Sequence, residues 1–191
     1  MAAPVTFLHT TASAIEARLR VAFPDPLFDF ALMADSPSVK ELERVVRRKP
    51  FIGLGLAALK PGDFARQFKG IAQWTIFLMV ENQSSAGARY TGDDLGIGLF
   101  GMLHVASTLL HGWTIDGVGA VAVKEVSMIR AEGWGDDNTA MAALGLDVAF
   151  AADPAPAALA DLGSFLSLNI AWTLPDAGTQ PPATTITLAG A

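Results

Sequence analysis

The run Trp74 to Glu81, WTIFLMVE, constrains this chain more than any other segment: it is short, rich in bulky apolar residues and nearly unbroken by polar ones. A run of that length is a strand rather than a helix, and its lack of alternation predicts a central strand covered on both faces. A second segment, Ala143 to Ala151, alternates cleanly. Leu144, Leu146, Val148 and Phe150 fall on one side and Gly145, Asp147 and Ala149 on the other, the pattern of a half-buried strand. The fold must therefore bury one sheet under other elements.

The covering elements are read from helical spacing. Ala12 to Ala22 predicts a helix with Thr10 or Thr11 as cap and Ile15, Leu19 and Ala22 on its buried face, stopped by Pro24 and Pro26. A longer helix is expected from Asp93 to Gly112, with Leu95, Leu99, Met102, Leu103, Ala106, Leu109 and Leu110 turned to the core and Gly112 as the stop. Ser36-Pro37 marks a further helix start, with Ser38 and Glu41 as a capping box. Leu27 to Met33 and Phe51 to Ala57 read as strands, the latter followed by a turn at Lys60-Pro61-Gly62-Asp63. In Val118 to Met128 the even positions Val118, Ala120, Ala122, Val126 and Met128 share a face interrupted by Lys124, where a bulge is expected.

Composition limits the chemistry. The 191 residues include no cysteine, which removes disulfides, thiolate metal sites and cysteine nucleophiles. The formal charge is -6, and it is unevenly spread: residues 1–130 hold all 13 Lys and Arg against 12 acids, whereas residues 131–191 hold 7 acids and no base. The negative last third disfavours general nucleic-acid binding and suits a solvated arm or a surface that meets a basic partner. The opening residues lack the basic start of an export signal, despite the Ala12-Ser13-Ala14 triplet. Leu95 to Ile115 carries no formal charge over 21 residues, but its histidines, hydroxyls and four glycines predict a buried helix rather than a membrane span. After Asp153 the chain becomes rich in Pro and Ala, so a domain over 1–152 and a C-terminal extension over 153–191 are expected.

Catalytic and cofactor signatures are weak. Gly96-Ile97-Gly98-Leu99-Phe100-Gly101 matches GxGxxG as a string, and Asp116 lies twenty residues after Gly96, but the string follows a polar loop and Asp93-Asp94 rather than a strand. Close helix packing explains those glycines. His104 and His111 share a helix face but stand about 10 Å apart along it, too far for one metal. Asp93-Asp94 reads as helix capping and Asp136-Asp137 as a loop, since neither has calcium-loop spacing. No GxSxG occurs. No catalytic residue, cofactor or metal site is expected. Candidate contact residues are instead the basic cluster Arg44, Arg47, Arg48 and Lys49, the loop residues Gln83, Arg89, Tyr90 and Asp93, the pair Asp136 and Asp137, and Ile186 and Leu188 in a possible terminal strand.

The order of elements, TASAIEARLR, WTIFLMVE, Arg89-Tyr90 leading into DDLGIGLFGMLHVASTLLHGW, then VGAVAVKEVSMI and LGLDVAFAAD, resembles the tail terminator proteins of long-tailed phages, especially the Mu-like contractile-tail branch. The resemblance covers roughly residues 10–152 and rests on a pattern of elements. It implies an α/β (α+β) fold with a mixed, largely antiparallel sheet, helices packed on it and an extended C-terminal arm. It also implies a homo-oligomer, a hexameric ring in the virion at the head-proximal end of the tail, put together in the host cytoplasm. Its implied neighbours are the tail tube protein, the sheath protein of a contractile tail and the head-tail connector or neck protein, with DNA only passing through the channel and no membrane. A head-tail connector is the nearest alternative reading, and a small-molecule or nucleotide-binding enzyme with a pocket at Gly96 to Gly101 is the alternative from another class. The segment beyond Asp153 exceeds what such a fold needs.

Overall fold

The computed structural model describes residues 6–37, 50–62, 68–94, 96–129 and 139–152, all within one compact unit, Thr6–Ala152. The fold is mixed α/β, built on a curled six-stranded sheet. In chain order the elements are α1 (Phe7–Arg20), a 3-10 turn (Asp25–Leu27), β1 (Asp29–Leu32), β2 (Phe51–Pro61), β3 (Lys69–Glu81), α2 (Ala88–Thr91), α3 (Leu99–Leu110), β4 (Thr114–Ile115), β5 (Gly119–Ile129) and β6 (Thr139–Ala151). The strand order is β1-β2-β3-β6-β5-β4, with β1 parallel to β2 and the other four pairings antiparallel.

The apolar run sits where its composition requires. β3 lies in the interior of the sheet between β2 and β6, and Ile76 to Val80 are all buried. Ile76, Leu78 and Val80 face the main core under the helices, whereas Met79 packs on the opposite face with Phe51, Met141, Met33 and Ile129. Two-sided cover thus holds for one half of the strand. Towards Lys69 only one face is buried, and the alternation returns with Ala72 and Trp74 inside. β6 keeps Leu144, Leu146, Val148 and Phe150 in the core as its period of two demands, and extends back to Thr139.

α1 begins five residues before the expected start. Thr6 is the cap, its Oγ1 accepting from the His9 N–H at 3.3 Å. Thr10 and Thr11 lie inside the helix, where their hydroxyls donate back to the carbonyls of Thr6 and Phe7. A threonine can satisfy its hydroxyl either way, so the sequence carried three equivalent caps. Ile15 and Leu19 are buried as expected, but Phe23 rather than Ala22 completes the face. β2 continues past Ala57 to Pro61, so Lys60 and Pro61 belong to the strand and the turn starts at Gly62. The Gly62 N–H reaches the Lys69 carbonyl on β3 at 2.8 Å, which by alternation points the missing N–H of Pro61 away from β3, where a proline costs no ladder bond.

The long helix is shorter than its pattern. α3 starts at Leu99, because Gly92 (φ +81°) breaks the chain and Asp93 and Gly96 exchange backbone hydrogen bonds of 3.1 and 3.2 Å in a tight turn. Asp93 therefore caps no helix; Gly98 holds the cap position of α3. The stop is as expected, with Gly112 at φ +76°. Leu99, Met102, Ala106 and Leu110 are fully buried, and Leu103 and Leu109 pack partly against the same core. Leu95 and the expected helix over 38–49 lie outside the described residues.

In β5 the bulge falls at Lys124, between Val123 and Glu125, as expected, but the phase of the strand does not follow the even stripe. Val121 and Val123 oppose Val148 and Leu146 on the core face, and after the bulge Val126 and Met128 oppose Leu144 and Ala142 on that same face. The bulge switches the parity, so Ala120 and Ala122 leave the set. Although Val126 and Met128 lie on the helix-bearing face, they are 49% and 46% exposed, because the cover does not extend to that margin.

Candidate assembly surfaces

Four sequence-derived contact residues fall in the connection between β3 and α3. It is organised by its own side chains: Asn82 Oδ1 accepts from the Ser84 N–H at 2.8 Å, and Ser85 Oγ accepts from the Ala88 N–H at 3.1 Å. Gln83 is exposed on the first of these turns. Tyr90 projects from α2, and its ring lies 5.6 Å from that of Phe100 in a tilted contact. Both rings are exposed, Phe100 by 53%. Arg89, on the same short helix, is half-buried, and its Nε finds no hydrogen-bond partner among the described residues. Asp93 is exposed in the Gly92–Gly96 turn. The connection thus brings Tyr90 and Phe100 together. Arg44, Arg47, Arg48, Lys49, Asp136, Asp137, Ile186 and Leu188 lie outside the described residues.

The helical wheel of α3 places Phe100 relative to the sheet. Leu109, on one flank, faces α1, and its carbonyl accepts from Arg18 Nε at 3.2 Å. Phe100 lies on the opposite flank. Of the exposed large apolar residues, Val21, Phe68, Ile71 and Ile97 are scattered over the fold, and four others stand at two margins of the sheet. One side has Leu32 on edge strand β1, 64% exposed, with Leu27 just before it; the other has Val126 and Met128 on β5. Phe100 and Tyr90 stand on the flank of α3 turned away from α1.

The glycine string occupies different environments at its three positions. Gly98 packs backbone to backbone against Gly92, Gly101 sits beneath the Ile97 side chain, and Gly96 is open. The preceding strand, β3, ends at Glu81, so the string is not the strand-to-helix turn of a dinucleotide site. His104 is exposed on α3, while His111 Nδ1 accepts from the Val123 N–H at 3.2 Å and ties the helix end to β5. Among the described residues no group of three His, Asp or Glu side chains could hold a metal ion, and no helix is long and apolar enough to cross a membrane. Of the acids in the last third, Asp147 is described. It accepts from Gln73 Nε2 at 2.9 Å and stands 3.9 Å from Lys124 Nζ, so it is engaged within the sheet.

A shallow cleft of about 490 Å³ lies between α1 and the β1–β2 side of the sheet, lined by Leu8, Ala12, Leu54, Leu56 and Trp74, with His9, Ser13 and Glu16 along the helix. Glu16 is occupied by Arg20 at 3.3 Å.

Lys60 and Glu125, which the sequence reading did not single out as contact residues, are both exposed on the sheet. Their facing depends on the bulges in β2 and β5, and only the bulge at Lys124 left a mark in the hydrophobic pattern. No protein-family model and no curated protein matches the chain.

Proposed function

We propose that this chain is a structural virion protein, a tail terminator that closes the end of the tail tube as a hexameric ring, stops tail polymerisation and offers the head-joining surface. The element order that resembles such proteins suggests the reading, and one structural observation supports it. Apolar side chains stand uncovered at opposite margins of a single sheet, Leu32 on the β1 side and Val126 and Met128 on the β5 side. A protomer in a closed ring contacts each neighbour through a different surface, so it needs two unlike sticky margins rather than one self-complementary patch. Exposed apolar residues are ordinary one by one, and others stand elsewhere on this fold; those at the two margins support the reading because they adjoin strand edges where a neighbour can add.

In this reading the axial faces of the ring meet the tail tube protein on one side and the connector or neck protein on the other, with the sheath outside in a contractile tail. The acidic last third of the sequence would let DNA pass without adhering. The role needs no catalytic group and no cofactor. The experiment is the tail-length distribution, by electron microscopy, of particles made with the gene deleted. Overlong tails without heads are the expected result; tails of normal length joined to heads would overturn the reading.

A further inference from the structure

We infer that neighbouring copies join edge to edge, the outer side of β5 in one copy pairing antiparallel with the outer side of β2 in the next, with Glu125 opposite Lys60. The inference rests on the ring reading above and gives that ring its subunit contact.

Both edges are open among the described residues. β4 pairs with β5 only at Gly119 and Ala120, and β1 pairs with β2 only from Phe51 to Leu54. Among the described residues, Glu125 to Met128 and Ala58 to Pro61 therefore have strand partners on one side alone, and the bulged residues Lys124 and Ala57 have none. An unpaired edge is a template for another strand.

Backbone phase selects the residues that would bond. Val121 exchanges hydrogen bonds with Gly112 and Trp113, so its polar groups point away from β6, and its side chain faces the core. Core-facing and outward-pointing go together along a strand, so after the bulge Val126 and Met128 carry the outward groups. In β2 the Leu54 carbonyl accepts from Met33 on the outer side, and the Gly62 N–H points to β3, so Leu59 is outward and its side chain is on the core face with Ala72 opposite.

Strand direction agrees. Three successive antiparallel pairings separate β5 from β2, so β5 runs opposite to β2. A neighbour that keeps its helices on the same face would present β2 antiparallel to β5.

Charge fixes the register. Setting Val126 opposite Leu59 of the next copy pairs two outward residues and joins their apolar side chains on the helix-bearing face. It also sets Glu125 directly opposite Lys60 on the other face, where cross-strand opposite charges attract. Within its own chain Lys124 lies near Asp147, and neither Glu125 nor Lys60 has an ion pair among the described residues. Pro61, without an N–H, ends the ladder at Lys124, so the contact is confined to about five residues. That shortness favours closure of a ring by many weak identical contacts.

The absence of cysteine makes the test direct. Full-length Glu125→Cys and Lys60→Cys variants are mixed and mildly oxidised, and the products are run on a denaturing gel. The expected result is a mixed dimer from the mixture, little dimer from either variant alone, and a ladder to the ring size from the double variant. Separately, Glu125→Lys weakens self-association in sedimentation roughly three- to tenfold, and adding Lys60→Glu restores it. Rings seen by electron microscopy without the mixed cross-link would overturn the edge pairing and leave the ring. A Glu125→Cys dimer formed by itself would overturn the head-to-tail arrangement. A chain that stays monomeric at high concentration would overturn both.

Discussion

The three glycines of Gly96-Ile97-Gly98-Leu99-Phe100-Gly101 should respond to alanine in three different ways. A Cβ on Gly98 would lie 2.1 Å from the Gly92 nitrogen and 2.5 Å from the Tyr90 carbonyl oxygen, whereas ordinary contact begins at 3.4 Å. Two stretches of backbone would have to separate by more than an ångström, and they hold the tight turn that positions α3. Overpacking of that kind costs about 3 kcal/mol, so Gly98→Ala should lower the melting temperature by about 6–12 °C in a domain of this size. At Gly96 nothing lies within 4 Å, and its φ is not in the left-handed region. Gly96→Ala should be neutral or stabilising by roughly 0.5 kcal/mol, because alanine restricts the unfolded chain. At Gly101 a Cβ would meet the Ile97 side chain at 2.8 Å, but Ile97 is exposed and free to turn. The gain of about 1 kcal/mol from replacing a helical glycine should roughly offset that displacement. Urea and thermal unfolding followed by circular dichroism would rank the variants. Equal losses at all three sites would refute the steric reasoning and point to a loop that works as a single cradle.

Leu144→Ala, at a position with no exposure between β3 and β5, should cost about 3 kcal/mol by denaturant titration, while Val126→Ala on the same face should cost under about 1 kcal/mol in the monomer. Arg20 binds the Phe28 carbonyl at 2.8 Å and Asp25 at 2.6 Å and lies 5.3 Å from the Phe30 ring, so Arg20→Ala should cost about 1–2 kcal/mol. Arg20→Lys should recover less than half, since one ammonium cannot span those partners; full recovery in the unfolding assay would show that charge alone matters. Deleting Lys124 removes the extra residue but keeps Val123 and Val126 on their present face, so a shift below about 1 kcal/mol is expected. Collapse of the fold in that variant would contradict the assigned register.

What could be read from the sequence was what one buried surface imposes on one strand. β3 and β6 announce themselves because burial repeats every residue or every second residue, and the buried faces of α1 and α3 because it repeats on the helical period. The failures share a cause. The even stripe of β5 depends on where an unpaired residue is inserted, and the start of α3 on a contact between Gly92 and Gly98 that is made only once the chain turns back. Thr6, Thr10 and Thr11 offer the same chemistry for capping, and only the geometry of the entering chain distinguishes them. Tyr90 was legible as a contact candidate, but its ring contact with Phe100 on α3 was not. Lys60 and Glu125 were illegible as a pair, because each is placed by a bulge in a different strand.

The pairing of β3 with β6 joins residues 69–81 to residues 139–151 along thirteen matched positions, and it is the seam on which both halves of the sheet depend. During synthesis β3 leaves the ribosome with its most apolar edge bare and waits for roughly sixty further residues, because its partner is the last strand of the described fold. A long loop must close before that seam forms, so folding should be slow for a domain of this size. A chain interrupted before Thr139 would expose WTIFLMVE as an aggregation-prone edge. Completion of β6 is therefore the point at which this polypeptide passes from a hazard to a protein.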